Sequence, residues 1–197
     1  MIPTFSNIST TQEFVAHQST IERSLDNWVS DCDVKERSNR VIAKTRILSA
    51  LHTNSPALSL FRLNLTTLPP EIGQLMQLRE LDLGLNRIAS LPDSLGDLTQ
   101  LTTLFLNHNQ LRTLPDSLGN LSLLQSLCLD NNPLSSLPMT LGNIPSLTDI
   151  DHENNQALPR AQVRAILFLC KARKKEGANV SAQTLIDAQK MYNGENL

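Results

Sequence analysis

The apolar positions of the chain fall into three regimes. Between residues 14 and 51 they recur three or four apart, as Phe14, Ile21, Leu25 and Trp28 and then as Val41, Ala43, Ile47, Leu48 and Leu51. That is the spacing of one face of a helix, and a polar break over residues 31–35 divides it, so the pattern predicts two amphipathic helices in a hairpin. From Leu58 to Leu158 the period shortens. Stretches such as Leu81-Asp82-Leu83 alternate, which sets leucines on one side of a short strand and the intervening residue on the other. After Leu158, residues 161–175 and 181–192 return to helical spacing on either side of Gly177.

The middle regime repeats itself. LRELDLGLNRIASLPDSLGDLTQ from Leu78 aligns with LTTLFLNHNQLRTLPDSLGNLSL from Leu101 and LQSLCLDNNPLSSLPMTLGNIPS from Leu124, an interval of 23 residues. Leu81, Leu104 and Leu127 coincide, as do Leu83, Leu106 and Leu129, then Asn86, Asn109 and Asn132, and then three Leu-Pro pairs ending at Pro92, Pro115 and Pro138. Two outer copies are degenerate. The first carries Leu63 in place of the asparagine, and the last keeps Ile150 and Asn155 but has His152 at a leucine position. One such coil cannot bury its own apolar face, so at least three must stack, and terminal copies are expected to deviate. The array therefore runs over residues 58–158 as about five coils.

These residues match the pattern LxxLxLxxNxLxxLP, which resembles the leucine-rich-repeat superfamily. The resemblance implies a horseshoe, an α/β solenoid whose parallel strands stack at about 4.8 Å into a concave sheet. The expected fold is that solenoid, of about five coils, capped by helices at both ends. Asn86, Asn109, Asn132 and Asn155 are expected to form an internal ladder, each amide satisfying backbone groups that a tight turn leaves unpaired. Each Leu-Pro pair marks the convex return, where proline fixes φ and Gly73, Gly96, Gly119 and Gly142 are expected to permit a turn that other residues resist. The division expected along the chain is a disordered start over 1–12, a helical hairpin over 13–57, repeats over 58–158 and a helical cap over 159–197. Each cap covers a core that a solenoid exposes at its end.

The stretch WVSDCDVKERSNRVIAKTRILSALHTNSPALSLFRLNLTTLP sharpens the resemblance. A tryptophan, a helix rich in Arg and Ala, and an Asn-containing turn running into LNLTTLP are similar to the helical cap of bacterial type III secreted leucine-rich-repeat effectors, the YopM and IpaH/SspH kind. The coils depart from that group in being longer, 23 residues, and in this they are nearer the general LPxxLGxL class. The resemblance implies a protein made in the bacterial cytoplasm, injected into a host cell, and bound there to a host protein. The uncharged, Ser- and Thr-rich first dozen residues are compatible with a secretion signal. An ordinary scaffold acting in the cytoplasm of its own cell is the other reading.

Composition narrows the function. The net charge is −2 and the aromatic share 4%, which favours no nucleic-acid partner and points to a core built from one repeated aliphatic side chain. No basic and apolar leader of signal-peptide type opens the chain and no run of about 18 apolar residues occurs, so no transmembrane segment is expected. Some members of the effector group carry a ligase domain with a catalytic cysteine; here 39 residues follow Leu158, too few for a domain with its own core, and no enzyme is expected. Cys170 sits on an apolar helix face as a small buried hydrophobe. Cys32 lies between Asp31 and Asp33, whose carboxylates oppose a thiolate. The four histidines and three cysteines show no ligand spacing, so neither metal nor cofactor is expected.

The outward strand positions are where a partner is expected: Glu80 and Asp82; Thr103, Phe105 and Asn107; Ser126, Cys128 and Asp130; Asp149, Asp151 and Glu153. None is Lys or Arg, and the acids gather toward the C-terminal coils. Such a face steers a host protein with a basic surface. Phe105 is the expected anchor, because an aromatic exposed mid-sheet has a solubility cost that binding offsets. Phe61 either joins it or packs under the N-terminal hairpin, with packing the favoured reading. Lys35, Arg37, Arg40, Lys44 and Arg46 in the first cap, and Arg160, Arg164, Lys171, Arg173, Lys174 and Lys175 in the second, are expected to be solvated; membrane contact through the basic tail helix is the lesser alternative.

Overall fold

The computed structural model describes residues 6–177 and 180–195. Helices α1 (Ser6–Ser30) and α2 (Val34–Thr53) precede strands β1 (Ala57–Ser59), β2 (Glu80–Asp82), β3 (Thr103–Phe105), β4 (Ser126–Cys128) and β5 (Asp149–Asp151), and helices α3 (Arg160–Glu176) and α4 (Ala182–Asn193) follow. The strands form one parallel sheet in sequence order, and the register pairs residues 23 apart throughout, as in Leu81 with Leu104 and Leu104 with Leu127. Between strands the chain returns through four 310 turns, Pro70–Gln74, Asp93–Asp97, Asp116–Asn120 and Met139–Asn143, each entered from a proline in extended conformation. This is the helix-capped leucine-rich-repeat solenoid. The disordered start expected over 1–12 falls partly on residues 1–5, which lie outside the described residues, and partly on the first turns of α1; the side chains of Phe14 and His17 also lie outside them.

The core is a set of leucine columns running through the stack. Leu81, Leu104 and Leu127 form one, Leu83, Leu106 and Leu129 the next, and Leu95, Leu118 and Leu141 a third under the convex turns, all fully buried. Each such side chain contributes about 2 kcal/mol relative to exposure, and each is sandwiched by its own copies one coil away. That is why a single coil would not fold.

The glycines of the return work differently from expectation. None of Gly73, Gly96, Gly119 and Gly142 has a positive φ. They are small because the next coil is close: a Cβ at Gly96 would lie 2.3 Å from the Ser117 carbonyl oxygen, and one at Gly73 would lie 2.4 Å from that of Ser94. The left-handed conformation recurs at another position of the repeat, at Arg62, Leu85, His108, Asn131 and Asn154 with φ of 53° to 57°, and the first coil has it again at Asn64. Asn and His tolerate that region better than Leu or Arg, so its occupant varies while the stack imposes the turn.

The N-terminal hairpin closes the first coil with Ile21, Leu25, Ala43, Ile47 and Ala50, all buried in the common core. Val41, placed on the apolar face by its spacing, is 48% exposed. Arg40, expected in solvent, is buried: its Nε donates to Glu36 Oε1 at 3.0 Å, its guanidinium donates to the Trp28 and Asp31 carbonyls at 2.6 and 2.9 Å, and its Cζ stands 4.9 Å from the centre of the Trp28 ring. Glu36 in turn accepts from the Thr66 amide and hydroxyl at 2.8 and 2.9 Å, so one ion pair fastens the hairpin to the first coil. Burial alone raises the Glu36 carboxyl, but the hydrogen bonds from Arg40 and Thr66 outweigh it and leave the group below its ordinary value. A depressed folded value means stability that is present above the ordinary carboxylate range, near pH 4.3, and lost as pH falls through the folded value. Thermal melts across that acid window will show a falling midpoint that Glu36→Gln flattens; an unchanged acid slope in the variant would remove the pair from this account.

At the other end α3 lays Val163, Ile166, Leu169 and Cys170 over the last coil. Gln162 Oε1 accepts from the Leu137 amide at 3.0 Å, Arg173 Nε donates to the Gly142 carbonyl at 3.1 Å, and the Cys170 thiol donates to the Leu141 carbonyl. No helix among the described residues is long and apolar enough to cross a membrane.

Candidate functional site: the concave sheet

The alternation that buries one leucine per strand turns its neighbours outward, and the register lines them up in columns. Glu80, Thr103, Ser126 and Asp149 form one column, and Asp82, Phe105, Cys128 and Asp151 the next. Asn107, Asp130 and Glu153 follow just past the strands. Glu80, Asp149, Asp151 and Glu153 are exposed, and the remaining predicted residues are half-buried in the shallow curve. Phe105 is among these: its ring is partly covered by its neighbours and is not the fully exposed aromatic the alternation suggests. Phe61 is 41% exposed, so it does not pack away under the hairpin and adds a second aromatic near the other end of the face.

Several acids are held by the backbone. Asp82 accepts from the Gly84 amide at 2.9 Å and Asp151 from the Glu153 amide at 3.3 Å, turns that fix where their carboxylates stand. Asp130 accepts from the Asn131 amide group at 2.7 Å and lies 3.9 Å from the His108 ring. His108, Asn131 and Asn154 are linked at 3.3 and 3.1 Å into an outer polar column along the rim. The signal for this column in the sequence is the recurrence of His and Asn, both tolerant of left-handed backbone, at one position of the repeat.

The inner ladder is set just beneath. Asn109 Oδ1 accepts from the Ile88 amide at 3.0 Å while its Nδ2 donates to the Leu83 and Leu106 carbonyls at 2.9 and 3.0 Å, and Asn86 and Asn132 bond in the same way. Asn155 does so toward Leu134 and Leu129. These amides are buried and spent on the scaffold, so they offer nothing to a ligand.

The thiols are poorly placed for nucleophilic chemistry. Burial pushes Cys128 up, and the carboxylates of Asp151, Asp149 and Asp130 push it further, so it stays protonated at neutral pH. Cys170 is buried and raised to about 11. Cys32, half-buried, donates to the Val29 carbonyl at 3.2 Å. Among the described residues no group of three or more His, Cys, Asp or Glu is placed to hold a metal ion. What the surface offers is shape, charge and two aromatics.

Known proteins bear on this arrangement. A family model described as a leucine-rich repeat region matches residues 56–174. No curated protein matches the sequence. Among solved structures the chain is similar to the leucine-rich-repeat domain of a Shigella effector, with 28% identity and a TM-score of 0.56 over 69% of this chain and 60% of that one. It is also similar to YopM from Yersinia enterocolitica WA-314, with 28% identity and a TM-score of 0.57 over 72% of this chain. The chain thus spans 60% of the Shigella domain and 30% of YopM. The resemblance to bacterial effectors that the cap and the repeats suggested is found again in the fold, and with a family model covering more than half of its length the chain belongs to the leucine-rich-repeat family.

Proposed function

We propose that this protein is a secreted effector that grips a host protein on its concave sheet through Phe105 and the acids around it. The observation that carries the reading is the outward face itself: the last four of five strands in register, with the residues just past them, present six carboxylates and no Lys or Arg among the predicted positions. Likeness to a Shigella effector domain and to YopM supports the secreted, host-directed part. In this reading catalysis has no role, and the chain acts by occupying a basic surface of its target, the charge setting encounter and specificity and the aromatic supplying affinity.

Affinity capture from host-cell lysate tests it, with the folded protein beside a variant carrying Phe105→Ala and Asp151→Lys. Loss of an anchor and reversal of a charge together weaken capture on the order of thirtyfold or more. Equal capture by both proteins moves the interface off the sheet. Delivery of a reporter-tagged chain into cultured cells by a bacterium with an intact type III apparatus, compared with one lacking it, tests secretion separately; no difference between the two sinks that part.

A further inference from the structure

The acids on the strands themselves stand in two pairs, one on the second strand and one on the last, with Asp130 just past β4 between them. Glu80 and Asp82 lie on β2, Asp149 and Asp151 on β5, and the strands between carry Thr103, Phe105, Ser126 and Cys128 at the same register. Three strand spacings of about 4.8 Å separate the two acidic pairs, about 14 Å in all. Beyond β5 cations join the acids of the surface. A cleft of about 600 Å³ opens between the last coil and α3, with His152, Glu153, Arg160 and Arg164 among its lining. Arg160 and Arg164 are exposed, one helical turn apart, and among the described residues neither has an ion-pair or hydrogen-bond partner.

An extended segment lying across the strands advances about 3.3 Å per residue and turns every second side chain to the same face. Crossing from β2 to β5 therefore takes about four residues, so the side chains four apart that meet the two acidic pairs point the same way. The side chain midway between them falls on Phe105 and Cys128. The next side chain on that face, two positions past the second pair, leads toward the cleft that Glu153, Arg160 and Arg164 line together. The geometry points to a partner segment read by charge order: a basic residue, an apolar residue two positions on, a second basic residue two further, and an acidic residue two beyond that. This rests on the sheet being the partner face and names what it selects there. A uniformly basic segment would press a cation against Arg160 and Arg164, so the cleft rejects what the sheet alone would accept.

Two dye-labelled peptides of one composition test the order by fluorescence anisotropy with the whole chain at low ionic strength, where charge contacts are least screened. The first is acetyl-Gly-Lys-Ser-Leu-Ser-Lys-Ser-Glu-Gly-amide. The second exchanges its Leu and Glu, which no reversal of chain direction can repair. The ordered peptide binds at least tenfold tighter, and Arg160→Gln with Arg164→Gln removes that difference while leaving the thermal midpoint unchanged. Equal binding of the two peptides, both weakened by Asp149→Asn with Asp151→Asn, overturns the charge order and leaves the sheet as the partner face. Binding of neither peptide, or binding of both that ignores the Asp changes, overturns the order and the partner face together.

Discussion

Asn109→Ala lowers the unfolding free energy by about 3 kcal/mol in chemical denaturation. The amide makes three buried bonds, to the Ile88 amide and to the Leu83 and Leu106 carbonyls. Removing it leaves the Ile88 amide unpaired in a place water does not reach, which costs about 1–3 kcal/mol, while the two carbonyls each lose one buried bond and keep another, Leu83 from Asn86 and Leu106 from Asn132. Each lost carbonyl bond adds about 0.5–1.5 kcal/mol to that one orphan, so the total stays well below that of three orphaned groups. The damage also spreads, because Leu83 belongs to the coil before and its column supports both neighbours. A loss under about 1 kcal/mol would mean that water enters the turn, and the ladder would then be dispensable.

Gly96→Ala is the second large effect, about 2–3 kcal/mol, in the range of overpacking a close-packed interior. The added methyl would lie 2.3 Å from a backbone oxygen and 2.7 Å from the Ser117 Cβ. No side-chain rotation relieves a clash with backbone, so two coils must separate along the convex edge. The nearest atoms to a methyl at Gly142 all belong to the Leu169 side chain, Cδ1 at 2.7 Å and Cβ at 3.0 Å; the first can rotate away and the second needs a shift of α3 by a few tenths of an ångström, so the same substitution there costs less. Denaturation midpoints of the two variants measure the contrast directly; equal losses would show that the coils are not the rigid partner.

The repeat was legible in the sequence because its interval is strict: Leu81, Leu104 and Leu127 announce both the strand and the face that is buried. The outward residues followed from alternation alone. What escaped depends on neighbours that no single coil contains. Gly96 reads as a turn residue until the Ser117 carbonyl is seen beside it. Glu36 and Arg40, four apart on a helix, look like an ordinary surface pair, and only the arrival of Trp28 and Thr66 makes them a buried clamp. Val41 fits the helical period, yet the hairpin turns it outward. Phe61 was misread because the first coil is covered at its end by the hairpin while its strand face stays open. The rim column was hidden by its mixed occupants, since Arg62 and Leu85 carry no left-handed signature that His108, Asn131 and Asn154 supply.

The uniform register of the sheet has an evolutionary side. Each seam between coils is made by the same residues at the same offsets, so excising residues 101–123 would join two edges that already fit, and duplicating them would do the same. Such a chain is a ruler cut at fixed marks: gene-level gain or loss of one unit would move the acidic pairs of β2 and β5 apart or together by a whole strand while the caps and the remaining ladder went on unchanged.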